Sequence, residues 1–317
     1  MMKNVFLAIS IFIVLLADAQ PKTITVSQDG KADFTSVQAA FDAVPLNNKT
    51  PITIVIKNGI YKEKLHIDDS KNLVSIIGEH ALTTILTYDD HTGKISPKGD
   101  TTNTRTSYSF LVKANNFSAQ NVTFQNNAGF TAGQAVAAEV DGDKATFYNC
   151  RFLGFQDVLF TNSDTSRQYY KDCYIEGTTD FIFGSATVWF QHCTIYSKKN
   201  SHITAASTPA NHAYGYIFKN CFLTADTSLH GVSLGRPWRP YASVTYINCN
   251  IGPHIFPDGW RNWNNTENYK TVRYAEYKNY GLGADITKRV AWSKQLNDEE
   301  VKAYTIENIF GNWKPKL

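Results

Sequence analysis

Short runs of alternating apolar and polar residues recur along most of the chain, and Gly, Asn and Asp separate them. The runs are rich in Val, Ile, Thr and aromatic residues, which is typical of short β-strands. No segment between them has the period of a helix of useful length. The pattern therefore excludes a stack of helical repeats and predicts a chain built from many short strands.

The five cysteines mark one repeated frame, with a period of roughly twenty to thirty residues. An aromatic residue stands three positions before each cysteine, an Asn, Asp or His directly before it, and an apolar residue two positions after it. The earlier segment 119–124 follows the frame with Val122 in the cysteine position, so at least six turns of a solenoid are expected. The cysteines are Cys150, Cys173, Cys193, Cys221 and Cys249, and the aromatic residues are Phe147, Tyr170, Phe190, Phe218 and Tyr246.

This frame predicts an all-β, single-domain parallel β-helix, because each repeat is short and strand-rich. A leucine-rich repeat would need a leucine ladder and an asparagine signature, which the frame lacks. Cysteine at one repeated position is interpreted as a buried ladder that fills the core. Disulfide bonding is the alternative, although an odd number of cysteines leaves one unpaired.

The two ends of such a stack need covers, because exposed strands invite aggregation. Near the amino end, Ser36 is predicted to cap a short helix through Val44, with Val37 and Phe41 on its buried face. Near the carboxyl end, Asn297 or Asp298 is predicted to begin a helix through about Glu307, which Trp313 packs against the last turns. The Trp- and Tyr-rich loops at 251–279 are expected to wrap the stack or to rim a groove.

The first residues predict a signal peptide at 1–19, with residues 20–317 forming the β-helix domain. Lys3 precedes an apolar run at 5–16, and Ala17-Asp18-Ala19 is a small-x-small cleavage site, so we expect cleavage after Ala19 and a secreted or periplasmic protein. A membrane anchor is the alternative, but the run is too short to span a bilayer comfortably. The net charge of +3 is small and dispersed, which argues against a nucleic-acid partner. We expect no association with membranes and a monomer, since a capped solenoid is stable alone.

Two aspartates occupy the same position in consecutive repeats. Asp157 lies seven residues after Cys150, and Asp180 lies seven residues after Cys173. In-phase positions of neighbouring turns stack about 4.7–4.9 Å apart, so like charge would raise the pKa of one carboxyl group and leave the other ionised. This arrangement favours one acid and one base or nucleophile, and the apolar neighbours of both residues support it. The alternative is that both are turn residues at the corners of the solenoid.

Two further segments contain side chains suited to catalysis or to substrate binding. Gln134 stands alone among small apolar residues, where its amide can donate a hydrogen bond to a developing oxyanion. The segment 234–238, LGRPW, brings the guanidinium of Arg236 and the ring of Trp238 together, a pair suited to a carboxylate and a sugar ring. The alternative for the latter is a surface turn with a packed tryptophan.

At these residues the sequence resembles the pectin methylesterases, also called pectinesterases, of the compact bacterial type. Five of the family's motifs occur in order: GIYKE at 59–63, QAVA at 134–137, GFQD at 154–157, DFIFG at 180–184 and LGRPW at 234–238. The resemblance extends from about Ile24 to Trp313. It implies a right-handed parallel β-helix, in agreement with the repeat, and methyl-esterified homogalacturonan (pectin) as substrate.

The resemblance also implies a role for each site residue. Asp180 is the expected nucleophile and Asp157 the general acid and base, while Gln134 and Gln156 stabilise the oxyanion and Arg236 pairs with Asp180. No metal or organic cofactor is expected. The residues expected to bind the sugar and its ester are Trp238, Phe183 and Phe155.

Two other functions remain open on the sequence. Another β-helix enzyme of pectin, a polygalacturonase or a pectate lyase, would share the fold. An inverting hydrolase needs carboxyl groups about 6.5–9.5 Å apart, wider than adjacent turns provide, and a lyase would show a cluster of acidic calcium ligands near the aspartates. A non-catalytic polysaccharide-binding β-helix would keep the aromatic groove without needing the paired aspartates.

Overall fold

A computed structural model describes residues 22–96 and 99–315 of the 317-residue chain. The predicted signal peptide at 1–19 lies outside the described residues. Within them, the chain winds repeatedly through three sheets of 11, 8 and 7 strands, and neighbouring strands pair in parallel. This architecture confirms the predicted all-β parallel β-helix.

Each regular turn of the solenoid adds one strand to each sheet in the order sheet 1, sheet 2, sheet 3. Sheet 1 contains Lys22–Val26, Ile52–Ile56, Val74–Gly78, Ser118–Gln120, Ala145–Tyr148, Arg167–Lys171, Thr187–Gln191, Tyr216–Lys219, Ser243–Ile247, Arg273–Tyr277 and Lys294–Gln295. Sheet 2 contains Gly59–Lys62, Thr84–Tyr88, Thr123–Asn126, Arg151–Leu153, Tyr174–Gly177, Thr194–Ser197, Phe222–Ala225 and Asn250–Ile251. Sheet 3 contains Leu65–Ile67, Phe110–Val112, Ala138–Val140, Leu159–Thr161, Ile182–Gly184, His202–Ala206 and Ser233–Gly235.

The repeated frame forms the core of the solenoid. Its aromatic residues stack ring on ring from turn to turn; the ring centroids of Phe147 and Tyr170 lie 4.8 Å apart, and those of Phe190 and Phe218 lie 4.4 Å apart. All five cysteines are buried and free. The thiol of Cys173 donates to the carbonyl oxygen of Phe147 on the preceding turn, at 3.5 Å. The cysteines therefore form the predicted ladder rather than disulfides.

The residue before each cysteine turns the corner from sheet 1 to sheet 2. All five of these residues, and the equivalent Asn121, have a positive φ of 48–57°. This left-handed conformation is costly for most side chains, but Asn and Asp adopt it more readily. The recurrence of Asn, Asp and His in the sequence therefore has a backbone cause: Asn149, Asp172, His192, Asn220 and Asn248.

A short α-helix, α1 (Val37–Asp42), packs on the amino-terminal turns. Ser36 caps it as predicted, accepting from the backbone N of Ala39. The carboxylate of Glu63, from the GIYKE segment, also accepts from the backbone N of Val37, at 3.0 Å. The helix ends at Asp42, two residues earlier than predicted, while Val44 remains buried as expected.

The carboxyl-terminal helix differs from the prediction. Instead of one helix to about Glu307, the chain forms a 3-10 helix, Glu300–Ala303, and an α-helix, α2 (Ile306–Phe310). The break has a local cause, because the hydroxyl of Thr305 accepts from the backbone N of Asn308 and starts a new helix. Two further 3-10 helices are Thr104–Thr106 and Asn268–Lys270. No helix among the described residues has the length and apolar character needed to cross a bilayer.

Helix α2 covers the outer face of sheet 1, where Ile309 and Phe310 pack on Trp189, Ile217 and Ile247. The core near the carboxyl end is closed by tryptophan rings. The ring centroids of Trp260 and Tyr274 lie 4.4 Å apart, and Trp260 is fully buried. Part of the 251–279 loop therefore fills the end of the core.

The aromatic stack predicts where the stability of the fold is most sensitive to substitution. Phe190 is fully buried between Tyr170 and Phe218, so Phe190→Ala should lower the free energy of unfolding by about 3–5 kcal/mol. Urea denaturation measures the change. The control is Phe222→Ala, since Phe222 is 47% exposed and should cost less than about 1 kcal/mol. Similar losses in both variants would contradict a stability concentrated in the stack.

Candidate active site

The two in-phase aspartates lie on neighbouring turns, at the corner that precedes sheet 3. The strand register pairs Leu159 with Ile182, so Asp157 and Asp180 occupy matching positions two residues earlier. Both backbones are left-handed, with φ of 62° and 51°. Both residues are buried, at 9% and 5% exposure. The backbone N of Asp157 donates to the carbonyl of Thr179, which ties the two corners together at 3.1 Å.

Asp180 forms a buried ion pair with Arg236. The guanidinium donates twice, from Nε to Oδ1 at 3.0 Å and from Nη2 to Oδ2 at 2.6 Å. Burial raises the pKa of Asp180 above its usual value, and the hydrogen bond and the charge of Arg236 offset this rise only in part. This bidentate contact makes Asp180 the more acidic carboxyl group of the pair.

Asp157 has no such partner. Its carboxyl group forms no hydrogen bond with another described residue, and burial raises its pKa well above the usual value. The negative charge of Asp180 raises the pKa of Asp157 further, and the charge of Arg236 opposes this only in part. Asp157 therefore holds its proton more tightly than Asp180, and Asp180 is the carboxyl group of the pair that ionises first.

Arg236 follows the end of a strand of sheet 3 and contacts three other residues. Its backbone N donates to the carbonyl of Thr204 at 2.9 Å, and its guanidinium lies 4.1 Å from the centroid of the Trp263 ring. A Cβ on the preceding Gly235 would stand 2.0 Å from the hydroxyl of Thr204. Only glycine permits this close approach, so Gly235 lets the backbone before Arg236 pack directly against Thr204.

Gln134 and Gln156 meet on neighbouring turns beside the aspartates. A parallel bridge joins their backbones, and both residues line the same pocket as Asp157 and Asp180. Neither side-chain amide forms a hydrogen bond with another described residue. Both amides are therefore available as donors to a bound group.

An aromatic floor completes the pocket, which has a volume of about 400 Å³. The rings of Phe160 and Phe183 stack at 4.3 Å, and the ring of Trp238 stands 6.1 Å from Phe183. Phe155 lies elsewhere: its ring contacts Phe130 at 5.8 Å, and Lys198 lies over its face at 3.9 Å. The structure thus gathers seven of the eight predicted site residues in one pocket and leaves Phe155 outside its lining.

Several lining residues were not predicted. Phe160 comes three residues after Asp157, as Phe183 comes three after Asp180, so the repeat itself carried a signal for it. Trp263 belongs to the loops expected to rim a groove but was not singled out. No sequence pattern marked the others, which are Asn103, Thr104, Arg105 and Ala205.

Comparisons with known proteins agree with this fold. The family model described as Pectinesterase matches residues 23–312. The chain is 39% identical over 287 residues to Pectinesterase 31 of Arabidopsis thaliana, covering 89% of this chain and 90% of the relative. Pectin methylesterase from carrot has a TM-score of 0.85 and 31% identity, covering 92% and 94% of the two chains. A pectin methylesterase solved in complex with a hexasaccharide has a TM-score of 0.83 and 27% identity, covering 94% and 100%.

The solenoid is thus that of the pectin methylesterase class of β-helix enzymes. The chain belongs to the pectinesterase family, which makes it a carboxylic ester hydrolase.

The buried acid predicts an unusual dependence of stability on pH. Below a pH of about 4, Asp157 is protonated in both the folded and the unfolded chain and imposes no cost. At higher pH the unfolded chain loses this proton first, because burial raises the pKa in the folded chain, so the folded state loses relative stability. Asp157→Asn should therefore raise the free energy of unfolding at pH 7 by about 1 kcal/mol.

Denaturant unfolding at pH 7 and pH 4 measures this effect, and the gain should shrink at the lower pH. Asp164→Asn is the matched control, since Asp164 is exposed on a loop. A gain of the same size at both pH values would mean that ionisation of Asp157 is not its source.

Proposed function

We propose that this esterase removes methyl groups from methyl-esterified homogalacturonan, with Asp180 as nucleophile and Asp157 as general acid and base. The observation that carries the proposal is the buried pair of in-register aspartates, of which only one is paired with an arginine. This difference assigns two chemical roles to two otherwise identical side chains. The substrate is inferred from the family, because its members are pectinesterases.

In the first step, the ionised carboxylate of Asp180 attacks the carbonyl carbon of the methyl ester. The C–O bond to the methoxy group breaks, and the departing methanol takes the proton of Asp157. An anhydride then links Asp180 to the galacturonate. The amides of Gln134 and Gln156 stabilise the oxyanion that forms on the carbonyl oxygen, at about 3 kcal/mol for one donor.

In the second step, Asp157 is ionised and takes a proton from water, which attacks the anhydride. The anhydride bond breaks and releases the sugar as the free carboxylic acid together with the carboxylate of Asp180, while Asp157 regains its proton. The free acid then loses its own proton to solvent and becomes galacturonate. Arg236 stabilises Asp180 as nucleophile and as leaving group. No step requires a metal or an organic cofactor.

The aromatic floor binds the sugar. Trp238 and Phe183 present ring faces or edges within 6.1 Å of each other beside Asp180, a surface suited to a sugar ring and its ester methyl group. A role for Phe155 in substrate binding stays a prediction, since its ring contacts Phe130 and is not part of the lining of the pocket.

We also propose that the protein is exported and acts as a monomer. The signal peptide at 1–19 directs the protein to the periplasm or outside the cell, where polymeric substrate is accessible. Residues 20–317 act as one domain, supported by the continuous run of sheet 1 from Lys22–Val26 to Lys294–Gln295. The covered ends of the solenoid favour a monomer.

Methanol release separates this function from its rivals. The purified protein should release methanol from methyl-esterified polygalacturonate and acidify the solution, without shortening the polymer. Asp180→Asn should lower the rate at least about 1000-fold, because an amide is a poor nucleophile, with unchanged circular dichroism. Chain scission or unsaturated sugar ends would indicate a polygalacturonase or a lyase. Binding without methanol would indicate a non-catalytic module.

Arg236 should determine the pH at which kcat/KM falls on the acidic side of its pH profile. Arg236→Gln removes the charge that lowers the pKa of Asp180, so this pKa rises and the acidic limb of kcat/KM moves to higher pH. We also expect kcat/KM at its optimum to fall about 100-fold. Arg236→Lys keeps the charge but not the bidentate contact, so its acidic limb should lie between those of the parent protein and Arg236→Gln. An unmoved limb in Arg236→Gln would show that the ion pair does not set the ionisation of Asp180.

A further inference from the structure

The outer face of sheet 1 changes its chemical character along the solenoid. One row of outward side chains runs in register from turn to turn, and on the later turns it is apolar, with Tyr169, Trp189 and Ile217 packed under helix α2. On the four turns before these, the row consists of small hydroxylated residues that line open hollows: Thr53, Ser75, Ser118 and Thr146. This part of the row can both donate and accept hydrogen bonds at every turn.

The hydroxylated row forms the floor of a groove. Two adjoining hollows, of about 400 and 320 Å³, share the three residues Ser75, Ser118 and Thr146. We call them together the sheet 1 groove. Trp313 lines one end of it and Tyr148 the other. Its floor crosses four neighbouring strands, so the groove is roughly 14 Å long.

The sheet 1 groove carries positive charge without negative charge. Lys144 and Lys314 line it, and neither ammonium group forms an ion pair or a hydrogen bond with another described residue. No Asp or Glu stands among the described residues that line the two hollows. Asp143, next to Lys144 in the chain, is already paired with Arg167 at 2.6 Å. The lysines therefore lack a counter-charge, which suits an anionic ligand.

A further cation stands at the Tyr148 end of the groove. The ammonium group of Lys171 lies 5.6 Å from the centroid of the Tyr148 ring and forms no ion pair with a described residue. A ring with a cation over it offers an apolar surface and a positive charge at the same place. Both ends of the groove thus combine an aromatic ring with a lysine.

The lining favours a polysaccharide over a protein segment. A protein interface has a core of large apolar side chains, whereas the floor of this groove is made of hydroxyl groups. Sugar hydroxyls both donate and accept, as the floor does, and the rings of Trp313 and Tyr148 suit the apolar faces of sugars. The length of the floor is comparable to a few units of an extended polymer. Together with the lysines, these features select acidic sugars.

We propose that the sheet 1 groove binds de-esterified polygalacturonate at a site separate from the catalytic pocket. The identity of this ligand rests on the proposed ester hydrolysis, which produces a polymer with ionised carboxylates. No described residue that lines the groove also lines the catalytic pocket. The groove retains the enzyme on polymer that has already lost its methyl groups, while the pocket remains open to another stretch of chain.

Electrophoresis of the protein through gels that contain polygalacturonate measures this binding. Lys144→Gln should weaken the affinity about threefold, and Lys144→Glu, which reverses the charge, should weaken it about tenfold. Added salt should reduce both differences. The matched controls are Lys288→Gln and Lys288→Glu, since Lys288 is exposed on a loop and lies outside the groove. These controls should change the affinity by less than about twofold.

A second pair of measurements tests the hydroxyl row. The double variant Thr53→Val with Ser118→Ala removes two hydroxyl groups and should lower the affinity for polygalacturonate about threefold. Its binding to polyglutamate, an anionic polymer without hydroxyl groups, should match that of the parent. In every variant, kcat/KM for methanol release from a short methyl-esterified oligomer should stay within about twofold of the parent, because the catalytic pocket is unchanged.

Each failure has its own signature. Equal retention of the parent and Lys144→Glu would overturn the proposal. Equal affinity of the parent for polyglutamate and polygalacturonate would mean a general anion surface and not a site for sugars. A parent dimer that Lys144→Glu converts to a monomer in sedimentation would make the groove an interface between two copies. Retention through the groove without methanol release would refute only the proposed function, and methanol release without such retention would refute only this inference.

Discussion

The parallel register between neighbouring turns is the constraint on which this site depends. A parallel β-helix repeats its backbone about every 4.8 Å, so any side chain placed at the same corner on two consecutive turns must meet its counterpart. At the corner before sheet 3 the chain places two aspartates, and burial removes the water that would screen them. The guanidinium of Arg236 relieves the repulsion for one aspartate only. An asymmetric pair of carboxyl groups therefore arises from a symmetric repeat.

The corners also reconcile two interpretations that the sequence left open. Asp157 and Asp180 are turn residues with positive φ, like the Asn and Asp residues that precede the cysteines. They also line the pocket and differ in their ionisation. Asp is one of the few side chains that tolerates a left-handed backbone and can carry a charge. The same residue type thus satisfies the backbone and supplies the reactive group.

Features that obey the period of the repeat were predictable from the sequence, whereas features that interrupt the repeat were not. The fixed spacing of the repeat produces the stacked aromatic rings, the cysteine ladder and the alignment of the aspartates. It also produces part of the aromatic floor. Arg105 and Trp263 come from loops inserted between strands, and loop length does not reveal which side chain returns to the groove. The break at Thr305 was missed for a related reason, because a local cap competes with helix continuation over only a few residues.

The buried cysteines can report which turns of the solenoid unfold first. One thiol is enclosed in each of five turns along the solenoid, and none forms a disulfide. Burial also raises the pKa of Cys150 to about 12, so this thiol stays unreactive while its turn remains closed. An alkylating reagent reaches such a thiol only when its own turn opens. The order in which the five cysteines become labelled would record where the solenoid begins to unwind.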